Sequence, residues 1–542
     1  MNQSIHALIG GIFGLALHWN VFIHGEWHIH APKIVIYHLV YFLLLLLSIT
    51  NAFWMILGYL LAIMSSITIY RVFFHRLKSF PGPFWALTTK IWHAWKCRRG
   101  QNFLVLEDLH RQYGDFVRTG PSEITVYHPD VFMAMDGPQA TCVKSDWYDL
   151  LSPSQSLVTA RVKETHALRR RQWNKGFTSQ ALVQYQDRLL PLLSQLENCI
   201  DTNISVGRVT EANDIFYWLG FDRMGDFVFS RTFNMLSQQQ SHHIVLLLQR
   251  ALSLLGPLSP IPWFIHIAFK LCPRVWILRD WYQMVAWCES QMLDRLSAHN
   301  LDKCTHSMQD PEDPSKVPDV AYYLLQDAVD NPAQFPWLTG DSILAIVAGS
   351  EPTAAVMIGL FYELAKDSRH TDIIQREIED VDLKDLRSLS QHCPHLEGSI
   401  LEALRLYPAL PTGGNRKTLA DGVKIAGVYI PPETTIVAPR FCISRREDSF
   451  EQANKFIPER WYKYPEMVRN KAAFAPFGTG HHSCLGRALA MNDMRLITAS
   501  LVQKYKFSIP SGETGDPVWK DLRDQFTSNP GRLRLLFQLR DK

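Results

Sequence analysis

The sequence predicts a mainly α-helical protein with small peripheral β-sheets, preceded by transmembrane helices at its N-terminus. Two observations carry this prediction: helix-periodic segments dominate the chain beyond residue 85, and residues 1–70 are almost free of charge. The chain has 542 residues, of which 47% are hydrophobic, and 16 of them are tryptophans, so it can bury a large core. A formal net charge of +3 gives no indication of a nucleic-acid partner.

The N-terminal membrane region, residues 1–70, is apolar in separate blocks. Ile34–Ile49 and Ala52–Tyr70 each have the length and composition of a membrane-spanning helix, with a tight hairpin between them. Ala7–Trp19 is also apolar, but it is short and contains several glycines. The sequence therefore predicts two transmembrane helices and leaves a third open.

Basic residues first become frequent just after the apolar region. Residues 71–85 form a basic and proline-rich linker, whereas residues 1–32 contain no lysine or arginine. Because positive charge marks the cytoplasmic side of a membrane protein, we expect the globular domain, residues 86–542, to face the cytosol. The nine cysteines are scattered singly, without the paired spacing of a secreted disulfide framework, which indicates a reducing compartment.

Helical periodicity is clearest in six segments of the globular domain, at residues 160–176, 180–201, 241–255, 276–298, 342–366 and 395–406. Two patches are rich in strand-forming residues, Asp115–Pro129 and Gly422–Pro439. The polar stretch Asp302–Pro318 predicts a surface loop. No glycine-rich nucleotide-binding motif opens a helix, so no directly bound nucleotide cofactor is indicated.

The strongest candidate for a functional site is the stretch FAPFGTGHHSCLGRALA at residues 474–490. Gly478 and Gly480 permit the positive φ and the close backbone approach of a tight loop, and we expect the same of Gly486 beyond the cysteine. A helical pattern follows, which places Cys484 at a helix N-terminus. Free N–H groups and the helix dipole favour a thiolate there.

The cysteine loop resembles a known cofactor-binding motif. A structural thiol and a zinc site are alternatives, but zinc would need a second ligand group at a suitable spacing. The pattern F-x-x-G-x-x-x-C-x-G, formed by Phe477, Gly480, Cys484 and Gly486, resembles the haem-thiolate loop of the cytochrome P450 family. The resemblance implies a cytochrome P450 fold, with Cys484 as the axial ligand of the haem iron.

Two further motifs occur in the order that the family has them. Glu402 and Arg405 lie three residues apart on a predicted helix, so they face the same side. Arg460 follows in the segment FIPERW. The resemblance implies that these three residues form a buried ion-pair network that braces the haem-binding core.

The resemblance also implies contacts with the two haem propionates. The segment HALRRRQW resembles the propionate-binding helix of the family, with His166 and Arg170 as the contacts, and Arg416 stands where the family often places another. His482 occupies a position where an arginine is common, and its charge varies with pH. The cofactor-binding residues expected from the resemblance are thus Cys484, Phe477, Gly480, Gly486, His482, His166, Arg170 and Arg416.

The segment Leu344–Leu364 resembles the long helix that crosses the oxygen-binding face of the family. Its central letters are AGSEPT, which makes Glu351 and Thr353 the candidate catalytic residues. Pro352 replaces a threonine whose hydroxyl ordinarily helps to deliver protons to dioxygen. A proline here predicts a kink and an unpaired carbonyl at Ala348.

The replacement by Pro352 leaves two interpretations open. In the first, Thr353, Glu351, ordered water or a substrate hydroxyl relays protons, and the enzyme is an ordinary monooxygenase. In the second, slower proton delivery diverts the reaction to desaturation, ring formation or rearrangement. A kink beside Gly349 would also open a small groove for oxygen or water. A haem-binding sensor with little turnover is a further alternative.

The chain looks most like membrane-bound fungal members of the family, many of which act in secondary metabolism. The resemblance implies hydroxylation, epoxidation, desaturation or oxidative rearrangement of an apolar small molecule with O2. It implies haem b as the cofactor and electrons from NADPH through NADPH–cytochrome P450 reductase. We expect the protein in the endoplasmic reticulum membrane, in contact with lipid, with its catalytic domain in the cytosol and without a nucleic-acid partner.

Overall fold

The computed structural model describes residues 3–275, 277–305 and 318–540. Long helices dominate, the strands are short, and apolar helices come first, so the fold class expected from the sequence is confirmed. The predicted surface loop at Asp302–Pro318 lies outside the described residues except at its ends, and its first four residues continue a helix.

The helices of the described ranges vary from a single turn to more than thirty residues. In chain order they are α1 (Gln3–Leu17), α2 (Ala31–Ser48), α3 (Ala52–Ile69), α4 (Phe84–Thr88), α5 (Ile91–Lys96), α6 (Asn102–Tyr113), α7 (Val131–Asp136), α8 (Lys163–Lys175), α9 (Ser179–Ser205), α10 (Ala212–Phe229), α11 (Met235–Gln238), α12 (His243–Leu258), α13 (Pro262–Leu271), α14 (Ile277–Thr305), α15 (Val320–Asp330), α16 (Phe335–Lys366), α17 (Ser368–Ile378), α18 (Leu386–His392), α19 (Pro394–Leu406), α20 (Arg440–Ile443), α21 (Arg487–Lys504) and α22 (Pro517–Lys520).

The strands form small sheets, the largest of which has the order β1-β2-β8-β5-β3. Strand β2 runs parallel to β8, whereas β1 and β2 form the antiparallel hairpin predicted within Asp115–Pro129. The strands are β1 (Phe116–Gly120), β2 (Glu123–Val126), β3 (Val143–Lys144), β4 (Thr210–Glu211), β5 (Arg416–Lys417), β6 (Val423–Ile425), β7 (Val428–Ile430), β8 (Thr435–Val437), β9 (Tyr505–Ser508), β10 (Arg523–Gln525), β11 (Thr527–Asn529) and β12 (Arg534–Leu539).

Helix α16 connects the two largest hydrophobic clusters of the protein. Ile343 and Val347 belong to one cluster, together with residues of α10, α12, α14 and α15. Ala354 and Leu360 belong to the other, together with residues of α9, α19 and α21. The apolar composition of α16 therefore reflects burial in the core, and the AGSEPT segment lies where the helix passes from one cluster to the other.

Helix α10 crosses α16 at close range. A Cβ atom added at Gly220 would lie 2.6 Å from the Ser350 carbonyl oxygen, and one added at Gly349 would lie 2.8 Å from Met224 Cγ. Gly349 thus makes room for α10 on one side of α16. Helix α16 is unbroken through Pro352.

Three apolar helices precede the globular domain, each long and apolar enough to cross a membrane. Helix α1 continues to Phe22 as a π-helical turn, so it is longer than its apolar block indicated. It packs on α3: a Cβ atom added at Gly10 would lie 1.9 Å from the Met55 carbonyl oxygen, and one added at Gly58 would lie 2.1 Å from that of Ala7. The glycines that argued against a third span are the residues through which it packs.

Candidate active site

The loop before α21 presents the Cys484 sulfur. The Cys484 N–H donates to the Phe477 carbonyl oxygen at 2.8 Å and closes the loop, and α21 begins three residues later. Cys484 is exposed, yet burial raises the pKa of its thiol, while an N–H from Gly486 and the charge of Arg170 act in the opposite direction. The surroundings of the sulfur alone therefore do not hold it as the thiolate that the helix N-terminus led us to expect. A coordinated metal ion removes the proton of a thiol.

Two glycines turn the chain in front of the cysteine. Gly478 has φ of 69° and Gly480 has φ of 58°, the left-handed region that glycine tolerates best. A Cβ atom at Gly480 would lie 1.7 Å from the Asp136 carbonyl oxygen at the end of α7. The expectation for Gly486 is wrong: its φ is −78°, which is outside the left-handed region, and it is the residue that caps the N-terminus of α21.

Phe477 packs against the hydrophobic cluster that contains α19 and α21. The guanidinium carbon of Arg487 lies 5.8 Å from the centroid of its ring. Phe477 thus connects the cysteine loop to the core, on the side of the loop where α21 begins.

Next to this loop, the fold collects basic side chains from distant segments. We call them the cation cluster: Lys144, His166, Arg170, Arg416, Arg440 and His482. Burial and the neighbouring cations lower the pKa of His482 to about 2 and that of His166 to about 3. The imidazole Nδ1 of His482 lies 3.3 Å from Nε2 of His166. Such mutual destabilisation of positive charge indicates that the cluster lacks anions.

Hydrogen bonds within the cluster support this interpretation. Arg416 pairs with Asp136 at 2.6 Å and bonds the Tyr148 hydroxyl. Arg170 donates to the His481 carbonyl oxygen at 2.9 Å and to Ser483 Oγ at 3.4 Å. Within the described ranges, Asp136 is the one carboxylate that forms an ion pair with the cluster.

Sequence reasoning missed Lys144, Arg440 and Asp136. Lys144 is buried on β3 and donates to the backbone oxygens of Leu157 and Val158, and burial with the charge of Arg416 lowers its pKa to about 7. Arg440 donates to two other backbone oxygens, those of Gly413 and Ala475. These residues belong to no recognisable motif, and only the folded chain brings them together.

Away from its two ends, α16 has one exposed residue, Ala348 of the AGSEPT segment. Ala348 is exposed although the three preceding residues are buried, so the helix borders an internal space there. Leu344, one turn earlier, packs against the same hydrophobic cluster as Leu485, the neighbour of Cys484. The exposed turn of α16 and the cysteine loop thus border one cluster.

The two candidate catalytic residues differ in their surroundings. Glu351 is buried and accepts a hydrogen bond from Thr527 Oγ1 on β11 at 2.6 Å. Burial raises the pKa of Glu351 to about 7, although the Thr527 hydrogen bond lowers it. Thr353 is half-buried, and its hydroxyl has no hydrogen-bond partner within the described ranges.

Glu402, Arg405 and Arg460 lie together and are buried. Arg405 donates to both carboxylate oxygens of Glu402, at 2.6 and 2.9 Å, and Arg460 donates at 3.0 Å. The Trp461 Nε1–H and the Ile457 backbone N–H also donate to Glu402, each at 3.0 Å. The carboxylate therefore joins α19 to the segment that precedes the cysteine loop.

Comparison with known proteins identifies the family. The family model described as Cytochrome P450 matches residues 79–537. The chain is 30% identical to the cytochrome P450 monooxygenase notG' of Aspergillus versicolor, over 99% of this chain and 98% of that protein. It is 30% identical to the tryprostatin B 6-hydroxylase of Neosartorya fischeri, over 95% of this chain and 94% of that protein. It is 32% identical to the cytochrome P450 monooxygenase FCK2 of Fusarium pseudograminearum, over 98% of this chain and 97% of that protein. The family expected from the cysteine loop is thereby confirmed, and the chain belongs to the cytochrome P450 family.

Proposed function

We propose that this chain is a membrane-anchored haem-thiolate monooxygenase in which Cys484 is the axial ligand of the haem iron. One observation carries the proposal. The exposed Cys484 lies beside a cluster of six basic side chains, three of them buried, which forms an ion pair with one carboxylate, that of Asp136, within the described ranges.

The residues present fit haem b. The group carries an iron ion and two carboxylates, and the site offers one sulfur and an excess of buried positive charge. Arg416, Arg170, His166 and His482 would hold the propionates, with Lys144 and Arg440 behind them, because buried charges need partners. Phe477, Gly480 and Gly486 shape the loop that carries the ligand. When bound, haem supplies the activation of O2 and the oxidation of a C–H bond.

Two side chains of α16, close to the exposed Ala348, can hold protons. Thr353 Oγ1 is free to bond a water or a substrate hydroxyl, because no protein group occupies it within the described ranges. Glu351 binds or releases a proton at Oε2 near neutral pH, since its pKa is about 7, and Thr527 fixes its orientation. This arrangement supports the interpretation in which protons are relayed past Pro352, and not the one in which proton delivery is slowed.

We infer the finer parts of the function from the family and the N-terminal helices. Residues 1–70 are the membrane region, residues 71–85 the linker and residues 86–542 the catalytic domain, in the endoplasmic reticulum membrane and facing the cytosol. Electrons come from NADPH through NADPH–cytochrome P450 reductase. The substrate is an apolar small molecule of a fungal secondary-metabolite pathway, which is then hydroxylated, epoxidised, desaturated or rearranged.

Spectroscopy tests the ligand. The full chain in microsomes, reduced and exposed to carbon monoxide, should show the red-shifted band of a sulfur-ligated haem. Cys484→Ser should abolish the band. Cys272→Ser, a change at another exposed cysteine, should keep it. Absence of haem from the wild-type chain would overturn the proposal.

Turnover tests the reaction. Microsomes that contain the chain and a reductase are incubated with NADPH and a panel of apolar metabolites, with tryprostatin B as one member because a relative is named for its hydroxylation. A product whose mass changes by an oxygen atom or by loss of two hydrogens, and which depends on O2 and NADPH, supports the proposal. A chain that binds panel members but oxidises none would favour a sensor.

A further inference from the structure

The loop between α1 and α2 contacts the globular domain. Glu26 accepts hydrogen bonds from the Arg161 guanidinium at 2.8 and 3.0 Å and from Lys417 Nζ at 2.8 Å. His28 is buried, and its Nε2 lies 2.8 Å from Asp149 Oδ2. Although burial acts in the opposite direction, Arg161 and Lys417 lower the pKa of Glu26 to about 2, so the carboxylate is ionised at neutral pH.

The segment that leaves α3 is attached to the same part of the domain. Arg76 donates to the backbone oxygen of Glu433, whose carboxylate pairs with Lys417. Lys417 in turn pairs with Glu26. Helix α13 of the domain also packs against α2. The end of α1, the start of α2 and the end of α3 therefore all lie at the domain.

The contacts between α1 and α3 show that these two helices run parallel. Ala7 meets Gly58 in the first half of each helix, and further along both helices His18 Nδ1 lies 2.8 Å from Ser66 Oγ. Both residue numbers rise together, so Gln3 lies at the end that is remote from the domain. Each helical segment is about 30 Å long, which is the thickness of the hydrocarbon core of a bilayer.

Charge gives the orientation. Lys33 lies at the domain end of α2, and Arg71 and Arg76 lie at the domain end of α3. The remote end, where Ile49–Asn51 connects α2 to α3, has no lysine or arginine. Positive charge marks the cytoplasmic side, so the domain end is cytosolic.

We propose that the chain crosses the membrane three times, with Gln3 on the side opposite the globular domain, and that residues 23–30 form a cytosolic strap bound to that domain. The surface that receives the strap consists of Arg161, Lys417 and Asp149. The occupant is a segment of the chain itself, so the domain is attached to the membrane region at two places instead of one. Neither the crossings nor the strap depend on haem or on turnover.

Glycosylation of the full chain in microsomes tests the three crossings. A hydrophilic segment with one Asn-x-Thr acceptor is inserted before Met1, between Thr50 and Asn51, or after Gly25, in an Asn2→Gln background because Asn2 begins an acceptor of its own. The first two insertions should be glycosylated, and the third should not. The natural acceptor at Asn203, in the globular domain, is the cytosolic control. Glycosylation after Gly25, or its absence before Met1 while the hairpin insertion is modified, would overturn the proposal.

Thiol labelling tests the strap. In a Cys272→Ser background, His28→Cys places a buried thiol in the strap. A membrane-impermeant reagent, with the label at position 28 separated by peptide mapping from any label at the exposed Cys484, measures how often the strap leaves the domain. Adding Glu26→Lys should raise the labelling rate by about tenfold or more, because it puts a positive charge against Arg161 and Lys417. Adding Glu164→Lys, a charge reversal at an exposed position of α8, should not. Equal rates with and without Glu26→Lys would overturn the strap, whether or not the chain binds haem.

Discussion

Glu351 of α16 and Thr527 of β11 share a hydrogen bond of 2.6 Å inside the core. This bond connects the helix of the candidate active site to a hairpin near the C-terminal end of the chain. Within the part of the chain that the structure describes, no cation forms an ion pair with this carboxyl group, so burial dominates and raises its pKa to about 7.

Glu351 makes stability depend on pH. A buried acid whose pKa rises from 4.5 to about 7 binds a proton in the folded state that the unfolded chain releases. Its contribution to the free energy of unfolding is roughly 3 kcal/mol. This contribution is complete below pH 4.5 and is lost as the pH rises through 7. We expect the melting temperature of the wild type to fall between pH 5 and pH 8 relative to that of Glu351→Gln.

A second variant isolates this effect. Glu466→Gln, at an exposed position, should follow the wild-type pH profile. Asp524, whose pKa burial raises to about 6, titrates in every variant and so cancels from the comparison. Parallel profiles for the wild type and Glu351→Gln would show that the carboxyl group does not titrate in this range.

Proton delivery should depend on Thr353. Thr353→Ala removes the hydroxyl that has no protein partner within the described ranges, and we expect the ratio of product to consumed NADPH to fall on the order of tenfold. Thr339→Ala, about 21 Å earlier along α16, should leave the ratio unchanged. If neither Thr353→Ala nor Glu351→Ala changes coupled product formation, the relay lies with water or substrate.

The Glu402 carboxylate should be essential for folding. Glu402→Gln leaves Arg405 and Arg460 buried with less than their required negative charge, which costs about 3–5 kcal/mol. We expect a large drop in melting temperature and in haem content. Lys520→Gln breaks an exposed pair with Asp516 and should leave the melting temperature close to that of the wild type. Similar melting temperatures for the two variants would contradict the bracing role.

The cysteine loop should tolerate no side chain at Gly480. Gly480→Ala places a Cβ atom 1.7 Å from the Asp136 carbonyl oxygen at a φ of 58°, so the loop must move. We expect the carbon monoxide band to be lost or shifted. Gly413→Ala is the matched control, because a Cβ atom there meets nothing within 4 Å. A normal band in Gly480→Ala would mean that the loop adjusts without moving the sulfur.

Local motifs made part of the site predictable from the sequence. The spacing around Cys484 and the E-x-x-R pair lie within a few residues each, so their geometry follows from a loop or one helical turn. Four of the six residues of the cation cluster were predicted, and Lys144 and Arg440 were missed because they come from separate segments. Thr527 lies 176 residues from Glu351, and no local pattern indicates such a contact. The identity of Gly486 also failed to predict its φ, because glycine adopts negative φ about as readily as positive φ.

The packing of α1 against α3 has a consequence for production of the protein. Gly10 of α1 and Gly58 of α3 lie where the two backbones touch, so a side chain at either position would push the helices apart. A chimaera that carries the leader of another membrane protein in place of α1 keeps every residue around Cys484. Helix α3 of the chimaera nevertheless loses the helix that packs on Gly58. A foreign helix with bulky residues at the position of Gly10 cannot pack as closely against it.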